Sequence, residues 1–511
     1  MGAWTSKSEL QQAASRAEAR VGRIPIGSRF HRLPRRLEDD YFASNQVLGT
    51  GCSGCVLLAT NRHTKTQVAV KRLRLRGIGR EMRHDLVSEV EVFLGMDHPH
   101  VTRLMEVYED EDSLSLVMEL LEGGELLARL SERGYFQEDD AAEATRQMLL
   151  AVSYLHSQGV VHRDLKLENF LFEKEGSDFL KLIDFGFSKI VANDAKMDLS
   201  CGTLTYLAPE VLNRCYTRQC DLWSLGVMVF VLLCGHLPFD GSTDRAIMKR
   251  IRGGMFSMQA EPWSRVSADG KHFVQSLLVV SPGGRLTAQQ AQRHPWVARR
   301  GRWAAAGPEQ LDRGVADALC SFARQSRFRQ ACLQLMAWSL GKEERAQVRE
   351  AFLRLDKSRT GVIKLTDLKK VLEESFQMAE ALTGASACSD GNFRYSDFLA
   401  AMIPSRIALR ESVLRDTFRR FDVDGSGCVT RQKLRQVLGE PAVVEEAFDE
   451  LDLDRDGRIT TGELMGYLSG GGRLAPGPPG PEEPRRRRSS PWRLGCMAGV
   501  GRKLRPRSSS A

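Results

Sequence analysis

The chain has 511 residues, 42% hydrophobic and 27% charged, with a formal charge of +8 at pH 7. That length exceeds what one core supports and implies roughly two to four domains. The positive excess sits mainly at the ends, from Arg16 to Arg36 and from Arg485 to Arg507, so the folded middle is less basic than the total and no nucleic-acid partner is expected. Eleven cysteines without disulfide-like spacing, and no visible secretory leader, favour a reducing, cytoplasmic setting. Cys52-x-x-Cys55 is half a zinc pattern, but no second pair occurs at ligand spacing, so zinc is not expected.

From the N-terminus, residues 1–40 are rich in arginine and serine, weakly periodic and expected to lack fixed structure. Within them MGAWTS matches an N-myristoylation pattern with Gly2 as acceptor; one acyl chain binds membranes only marginally, and Cys496 and the basic tail are candidates for a second signal. Residues 41–297 form the first folded unit, a small β-rich lobe followed by a large helical one. Its first motif is Leu48 followed by Gly49-Thr50-Gly51-Cys52-Ser53-Gly54-Cys55-Val56. Glycines there let backbone amides approach phosphate oxygens, although such a loop alone is weak evidence.

Five further motifs in fixed order strengthen it: Lys71 in VAVK, Glu89 on the predicted helix LVSEVEVFLGM, Asp164 and Asn169 in HRDLKLEN, Asp184 in DFG, and Glu210 in APE. The apolar run from Leu225 to Gly235 is too short to span a bilayer and reads as a buried helix.

After His294-Pro295-Trp296 an Ala/Gly-rich stretch opens a junction, 298–340. In it Val315 to Leu340 reads as a basic amphipathic helix, with Leu319, Phe322 and Ala323 on one face and Arg324, Arg327 and Arg329 nearby, suited to a calcium-sensor groove. Residues 341–469 then carry four loops in EF-hand phase, starting at Asp356, Ser386, Asp422 and Asp452. Calcium takes about seven oxygens, ending on a bidentate glutamate at position twelve. The fourth loop is complete: Asp452, Asp454, Asp456, the Arg458 carbonyl and Glu463. The first offers Asp356, Ser358 and Thr360 but closes with the shorter Asp367, so its binding is expected to be weak or magnesium-like. The second starts with Ser386 and Cys388 and is expected to bind nothing. The third keeps Asp422, Asp424, Ser426 and the Cys428 carbonyl, yet places Lys433 where the glutamate belongs; it is expected to stand nearly empty, with the lysine stem free to swing into solvent. Residues 470–511 are too rich in Gly, Pro and Arg to pack and read as a disordered basic tail.

These motifs resemble a eukaryotic protein kinase, and the order of kinase, basic junction and calmodulin-like lobes resembles the calcium-dependent protein kinases of plants and protists. The resemblance implies an α+β architecture, a bilobal kinase followed by an all-α EF-hand domain. It implies ATP, Mg2+ and Ca2+ as cofactors, with Lys71 on the α/β-phosphates, Glu89 orienting it, and Asn169 and Asp184 on magnesium. Asp164 accepts the substrate hydroxyl's hydrogen bond, and Lys166 marks the serine/threonine branch. The hinge starts at Glu119, and Glu125 falls where relatives contact the ribose or a substrate arginine. Glu168 is the second carboxylate for that arginine and Thr203 lies on the substrate side, implying Arg-x-x-Ser/Thr protein substrates. Glu210 with Arg285 forms the large lobe's ion pair, and Asp221 braces the catalytic loop. Arg163 is expected to meet an acidic residue such as Asp194 or Asp198, because Leu199 stands at the usual phosphothreonine position; Ser200 is a possible phosphosite. The implied protein is a monomeric kinase whose junction helix binds its own sensor. A calcium-binding pseudokinase scaffold is the alternative from another class, opposed by the intact Lys71, Asp164, Asn169 and Asp184; a kinase that has lost calcium control is the other.

Overall fold

The computed structural model describes residues 8–22, 24–51, 54–191, 197, 202–259, 261–299, 312–376, 391–407 and 411–468. Runs such as QVAVKRL and SLSLVME place alternate or continuous apolar residues on a pleated ladder. They build a six-stranded sheet from β1 (Phe30–Arg32), β2 (Tyr41–Gly51), β3 (Gly54–Asn61), β4 (Gln67–Arg74), β5 (Leu104–Glu109) and β6 (Ser113–Glu119), in the order β1-β5-β6-β4-β3-β2. All neighbours are antiparallel except β1, which runs parallel to β5 with Phe30 opposite Val107.

The edge strand β1 comes from the head, and the expectation of a structureless first forty residues is corrected from Ser8 onward. Ser8 and Gln11 form a capping box at the start of the helix Glu9–Val21. Leu10, Ala13, Ala14, Ala17 and Val21 recur at helical spacing and are buried against the helix Arg80–Leu94. Arg16 reaches Glu91 at 2.5 Å and Arg83 reaches Glu9 at 2.8 Å. Weak periodicity hid this helix because its apolar face is mostly alanine.

The large lobe is built around the helices Glu138–Ser157 and Gln219–Cys234; every residue of the second from Cys220 onward is buried, as its apolar run requires. Beyond residue 312 the junction departs from a single helix. It breaks at Arg324-Gln325 into Arg313–Ala323 and Arg327–Ser339, because Ser326 caps the second helix by accepting from the Arg329 amide. Phe322 and Leu319 enter one core with Leu333, Met336, Phe352, Phe393 and Phe398, while Phe328, Ala331, Cys332 and Leu335 enter another with Phe418, Val437 and Phe448. The second helix thus presents one stripe to each lobe of the sensor. In each lobe the loops pair through short strands, with Ile363 opposite Phe393 and Val429 opposite Ile459.

This sensor unit is seated on the kinase. Trp338, at the end of the second junction helix, is 2% exposed. It lies between the guanidinium groups of Arg29 and Arg103, 3.8 and 4.2 Å from the ring centroid. Arg103 Nη1 also donates to the Ala337 carbonyl at 2.9 Å. Ser157 Oγ donates to the Thr360 carbonyl at 3.1 Å, and the Ser396 amide donates to Asp97 at 2.8 Å. At Gly361, φ is +77° and a Cβ would fall 2.3 Å from the Tyr154 ring, so only glycine allows this approach. Truncating Trp338 to alanine should cost about 3–5 kcal/mol; guanidinium unfolding of the full chain checks it, and an unmoved midpoint would show that the indole is not a packed wedge.

Candidate active site and calcium loops

The cleft is assembled from one strand, one helix and two loops. Lys71 on β4 and Glu89 on the helix Arg80–Leu94 are both buried, and Nζ meets Glu89 Oε1 at 2.7 Å and Asp184 Oδ1 at 3.5 Å. Burial works against the lysine's charge, but Glu89 and Asp184 together outweigh it and raise its pKa. Asp184 faces inward because Phe185 packs below it, 5.0 Å from Phe93 and 5.8 Å from His162 between ring centroids. Burial pushes the Asp184 carboxyl up, while Lys71 and the Gly186 amide outweigh that and hold it below the usual carboxylate range.

The catalytic loop is held from beneath. Buried Asp221 accepts from the amides of His162 at 3.0 Å and Arg163 at 2.9 Å, and contacts His156 Nε2 at 2.8 Å. These bonds support a left-handed φ of +70° at Arg163, a cost for any side-chain-bearing residue. Asp164 comes next with both oxygens engaged: Oδ2 accepts from Lys166 at 2.9 Å, and Oδ1 accepts from the Thr203 amide at 2.9 Å and hydroxyl at 3.0 Å. Asn169 donates Nδ2 to the Asp164 carbonyl at 2.8 Å, which leaves its amide oxygen as a ligand beside Asp184. Glu210 and Arg285 are paired at 2.7 and 3.1 Å in the large lobe.

The glycine-rich hairpin pairs Gly49 with Val56 and Thr50 with Cys55, next to Leu48, Gly51 and Gly54; Cys52 and Ser53 lie outside the described residues. Glu125 stands exposed at the N-cap position of the helix Leu126–Arg133, with no side-chain capping bond among the described residues. That helix packs on the short turn Leu167–Asn169 that carries Glu168, whose buried Oε2 has no hydrogen-bond partner among the described residues. Asp194, Asp198, Leu199 and Ser200 are outside the described residues; Arg163 Nε donates to the Phe187 carbonyl. Gly2, Arg485 and Cys496 are outside them as well, and among the described residues no helix is long and apolar enough to cross a membrane.

Glu119, where the hinge starts, has its side chain buried among Lys181, Arg103 and Arg345. Its Oε1 accepts from Lys181 at 2.7 Å and from the Arg103 amide at 2.8 Å, and its Oε2 from Arg345 of the sensor unit at 2.5 Å. Burial raises this carboxyl, but Arg345 and Lys181 outweigh it and hold it well below the carboxylate range. Beside it Arg349 grips Glu173 with both oxygens at 2.8 and 2.9 Å, and Lys342 pairs with Glu122. Sequence reasoning missed Arg345, Arg349 and Lys181, since isolated charges in helices and strands carry no local signature. Among the described residues, none of the bonds to Lys71, Asp164, Lys166 or Asp184 comes from beyond residue 312.

The four loops differ sharply. In the fourth, carboxylate oxygens of Asp452, Asp454 and Glu463 lie within 4.8 Å of one another, on loop turns fixed by bonds from the Asp456 and Gly457 amides to Asp452. Asp456 accepts from the Arg458 amide at 2.7 Å, and the three clustered carboxylates of Asp452, Asp454 and Glu463 fit a divalent ion. The first loop turns its oxygens on itself: Ser358 Oγ donates to Asp356 at 2.9 Å and lies 2.6 Å from Thr360 Oγ1, and Asp356 is 3% exposed against the kinase. Asp367 sits in the first turn of the following helix. In the second loop Ser386 and Cys388 are outside the described residues, and at its twelfth position Asp397 is buried, its pKa pushed up to about 6 by burial. The third loop holds Lys433 inward at 7% exposure, which corrects the expectation of a stem free in solvent.

The chain matches the protein kinase domain family over residues 42–297 and the EF hand family over 414–438 and 444–468. It is 33% identical to calcium-dependent protein kinase 34 of Arabidopsis thaliana over 88% of this chain and 87% of that one. It is 32% identical to calcium-dependent protein kinase 3 of Plasmodium berghei (strain Anka), over 83% and 79% of the two chains. With calcium-dependent protein kinase 9 of Oryza sativa subsp. japonica the identity is 34%, over 86% and 78%.

Arg345→Ala should remove one charge-assisted bond from buried Glu119 while Lys181 remains, at a cost of about 1.5–3 kcal/mol. A double-mutant cycle with Glu119→Gln, read by unfolding of the full chain, checks the coupling; strictly additive effects would break the assigned pair.

Proposed function

Because the chain belongs to the calcium-dependent protein kinase family, and is thus a calcium-regulated serine/threonine protein kinase, we propose that it phosphorylates Ser/Thr preceded by arginine at the third position upstream, using Mg·ATP, under control of calcium at its fourth loop. One observation carries the catalytic part: Lys71 is already clamped between Glu89 and Asp184, while Asp164 is aimed by Lys166 and Thr203. In a loosened or inactive body those four groups would not converge.

Lys71 would hold the α/β-phosphates, and Asn169 and Asp184 would hold magnesium, which supplies charge neutralisation on the phosphate oxygens. Asp164 accepts the substrate hydroxyl's hydrogen bond and points its oxygen in line; Lys166, 2.9 Å from it, is placed to donate toward the transferring group. The Thr203 bonds to Asp164 tie the substrate-side segment to the catalytic carboxylate, so the two are positioned together. Glu168, with one buried unpartnered oxygen, and Glu125 on the adjoining helix are suited to a substrate guanidinium.

Calcium control stems from the seat of the sensor. The second junction helix is shared by both EF-hand lobes and carries Trp338 onto the kinase, while the next helix, Lys342–Leu355, brings Arg345 to Glu119 and Arg349 to Glu173. Ion binding at Asp452, Asp454, Asp456 and Glu463 would tighten the C-terminal lobe on Phe328 and Leu335 and so favour this seat. The pseudokinase scaffold is not favoured, since the chain keeps Lys71, Asp164, Asn169 and Asp184 and its relatives are named as protein kinases.

Label transfer from ATP to an Arg-x-x-Ser peptide, with calcium and with chelator, tests the whole reading. Asp164→Asn should lower kcat about 10²–10⁴-fold with little change in KM for ATP, and near-normal turnover would sink the catalytic assignment. Glu463→Gln should shift the calcium response to higher concentration without altering turnover at saturation; an unmoved titration curve would remove the fourth loop from control.

A further inference from the structure

The third loop carries an observation that the established activity does not use. Lys433 Nζ lies 2.6 Å from Asp422 Oδ1, 2.7 Å from Ser426 Oγ and 2.7 Å from the Cys428 carbonyl, and is in contact with Asp424 Oδ1 as well. Counted from Asp422, these are positions one, three, five and seven, the four positions from which such a loop ligates calcium. Calcium–oxygen distances are about 2.3–2.6 Å, so an ammonium at 2.6–2.7 Å occupies the same hole with slightly longer contacts.

The backbone around this ammonium matches that of the complete fourth loop bond for bond. In the third loop the Ser426 amide donates to Asp422 Oδ1 at 3.2 Å and Asp424 Oδ1 at 3.0 Å, and the Gly427 amide to Asp422 Oδ2 at 2.8 Å. In the fourth the Asp456 amide donates to Asp452 Oδ1 at 3.0 Å and Asp454 Oδ1 at 3.2 Å, and the Gly457 amide to Asp452 Oδ2 at 3.0 Å. Position twelve also acts alike in the two loops: Lys433 stands in the first turn of the helix Arg431–Leu438 and reaches back into the loop, as Glu463 does from the helix Thr461–Leu468. The helix that Lys433 ties down contributes Leu434, Val437 and Leu438 to the core that encloses Phe328 and Leu335 of the junction.

We propose that the Lys433 ammonium is a tethered cation that fills the third loop in place of calcium, keeps this half of the C-terminal lobe in a loaded geometry at every calcium level, and pre-orders the fourth loop through the Val429–Ile459 pairing. The position-twelve lysine then supports calcium binding next door. A lysine that merely blocked a defunct site would do the reverse or nothing. The lobe becomes a one-ion switch with a permanent grip on the junction. The proposal rests on the reading that the fourth loop takes calcium.

Hydrogen exchange of the full-length protein in chelator tests the device without any substitution. The Gly427 and Val429 amides should exchange at least tenfold more slowly than Gly457 and Ile459, their counterparts in the ion-free fourth loop; equal rates overturn the proposal. Calcium binding by the full chain, measured by equilibrium dialysis, gives the second arm. Lys433→Met should weaken the fourth-loop site at least tenfold without changing the number of ions, and Lys433→Glu should restore the affinity and add one ion per chain. Unchanged or tighter binding in Lys433→Met shows a lysine that only blocks, and overturns the proposal. Glu463→Gln separates the two readings: if it removes no ion, the fourth-loop assignment fails, while the exchange comparison in chelator still decides the role of Lys433.

Discussion

A buried carboxylate must be met by cations or hydrogen-bond donors, because leaving it unpaired in a low-dielectric interior costs several kcal/mol. Glu119 is such a group, and its three donors come from three parts of the chain: the Arg103 amide entering β5, Lys181 in the large lobe and Arg345 in the sensor unit. The hinge between the kinase lobes therefore cannot be satisfied by the kinase alone in this arrangement. One carboxylate makes the position of the sensor a matter of hinge electrostatics. The neighbouring Arg349–Glu173 and Lys342–Glu122 pairs extend the same dependence along that surface.

The two sensor lobes divide the work according to where they sit. The N-terminal lobe faces the kinase: Gly361 lies against Tyr154, Thr360 accepts from Ser157, and the oxygens of the first loop are spent on each other. Such a loop serves as a docking surface. The C-terminal lobe keeps the exposed fourth loop, where the carboxylates of Asp452, Asp454 and Glu463 stand within 4.8 Å of one another. The second junction helix links the two, since its opposite stripes belong to the two cores and its end carries Trp338 into the kinase. Trp338 is thus joined through one helix to the core behind the fourth loop, and Arg345 reaches Glu119 from the next helix, Lys342–Leu355.

The head completes the receptor for the second junction helix. Arg29 donates to the Leu104 and Leu94 carbonyls and stacks on Trp338, so the strand Phe30–Arg32 and the short helix Ile24–Gly27 before it are part of the surface on which the junction rests. The preceding helix, Glu9–Val21, contacts Arg80–Leu94, which carries Glu89. The catalytic ion pair and the docking surface thus share a support.

Ordered motifs made the cleft legible from sequence, because phosphoryl transfer demands fixed residue types at near-fixed spacing: Lys71 meets Glu89 and Asp184, Asn169 meets the Asp164 carbonyl, and these are the residues proposed to carry the reaction. Loop phase was legible for the same reason, since the twelve-residue geometry of a calcium loop places Val429 and Ile459 in register before any packing is considered. The features that sequence left hidden depend on which surfaces meet. An alanine-faced helix such as Glu9–Val21 has little hydrophobic signal until Arg80–Leu94 covers it. Arg345 reads as one more helical charge until Glu119 is buried against it, and Lys433 reads as a foreign charge at a metal site until its stem folds back among Asp422, Asp424, Ser426 and Cys428. Residue type and spacing determined the chemistry of each site within its own segment; the pairing of charges between segments was decided only by tertiary structure, because a charge acquires its partner, and its cost, from what excludes water around it.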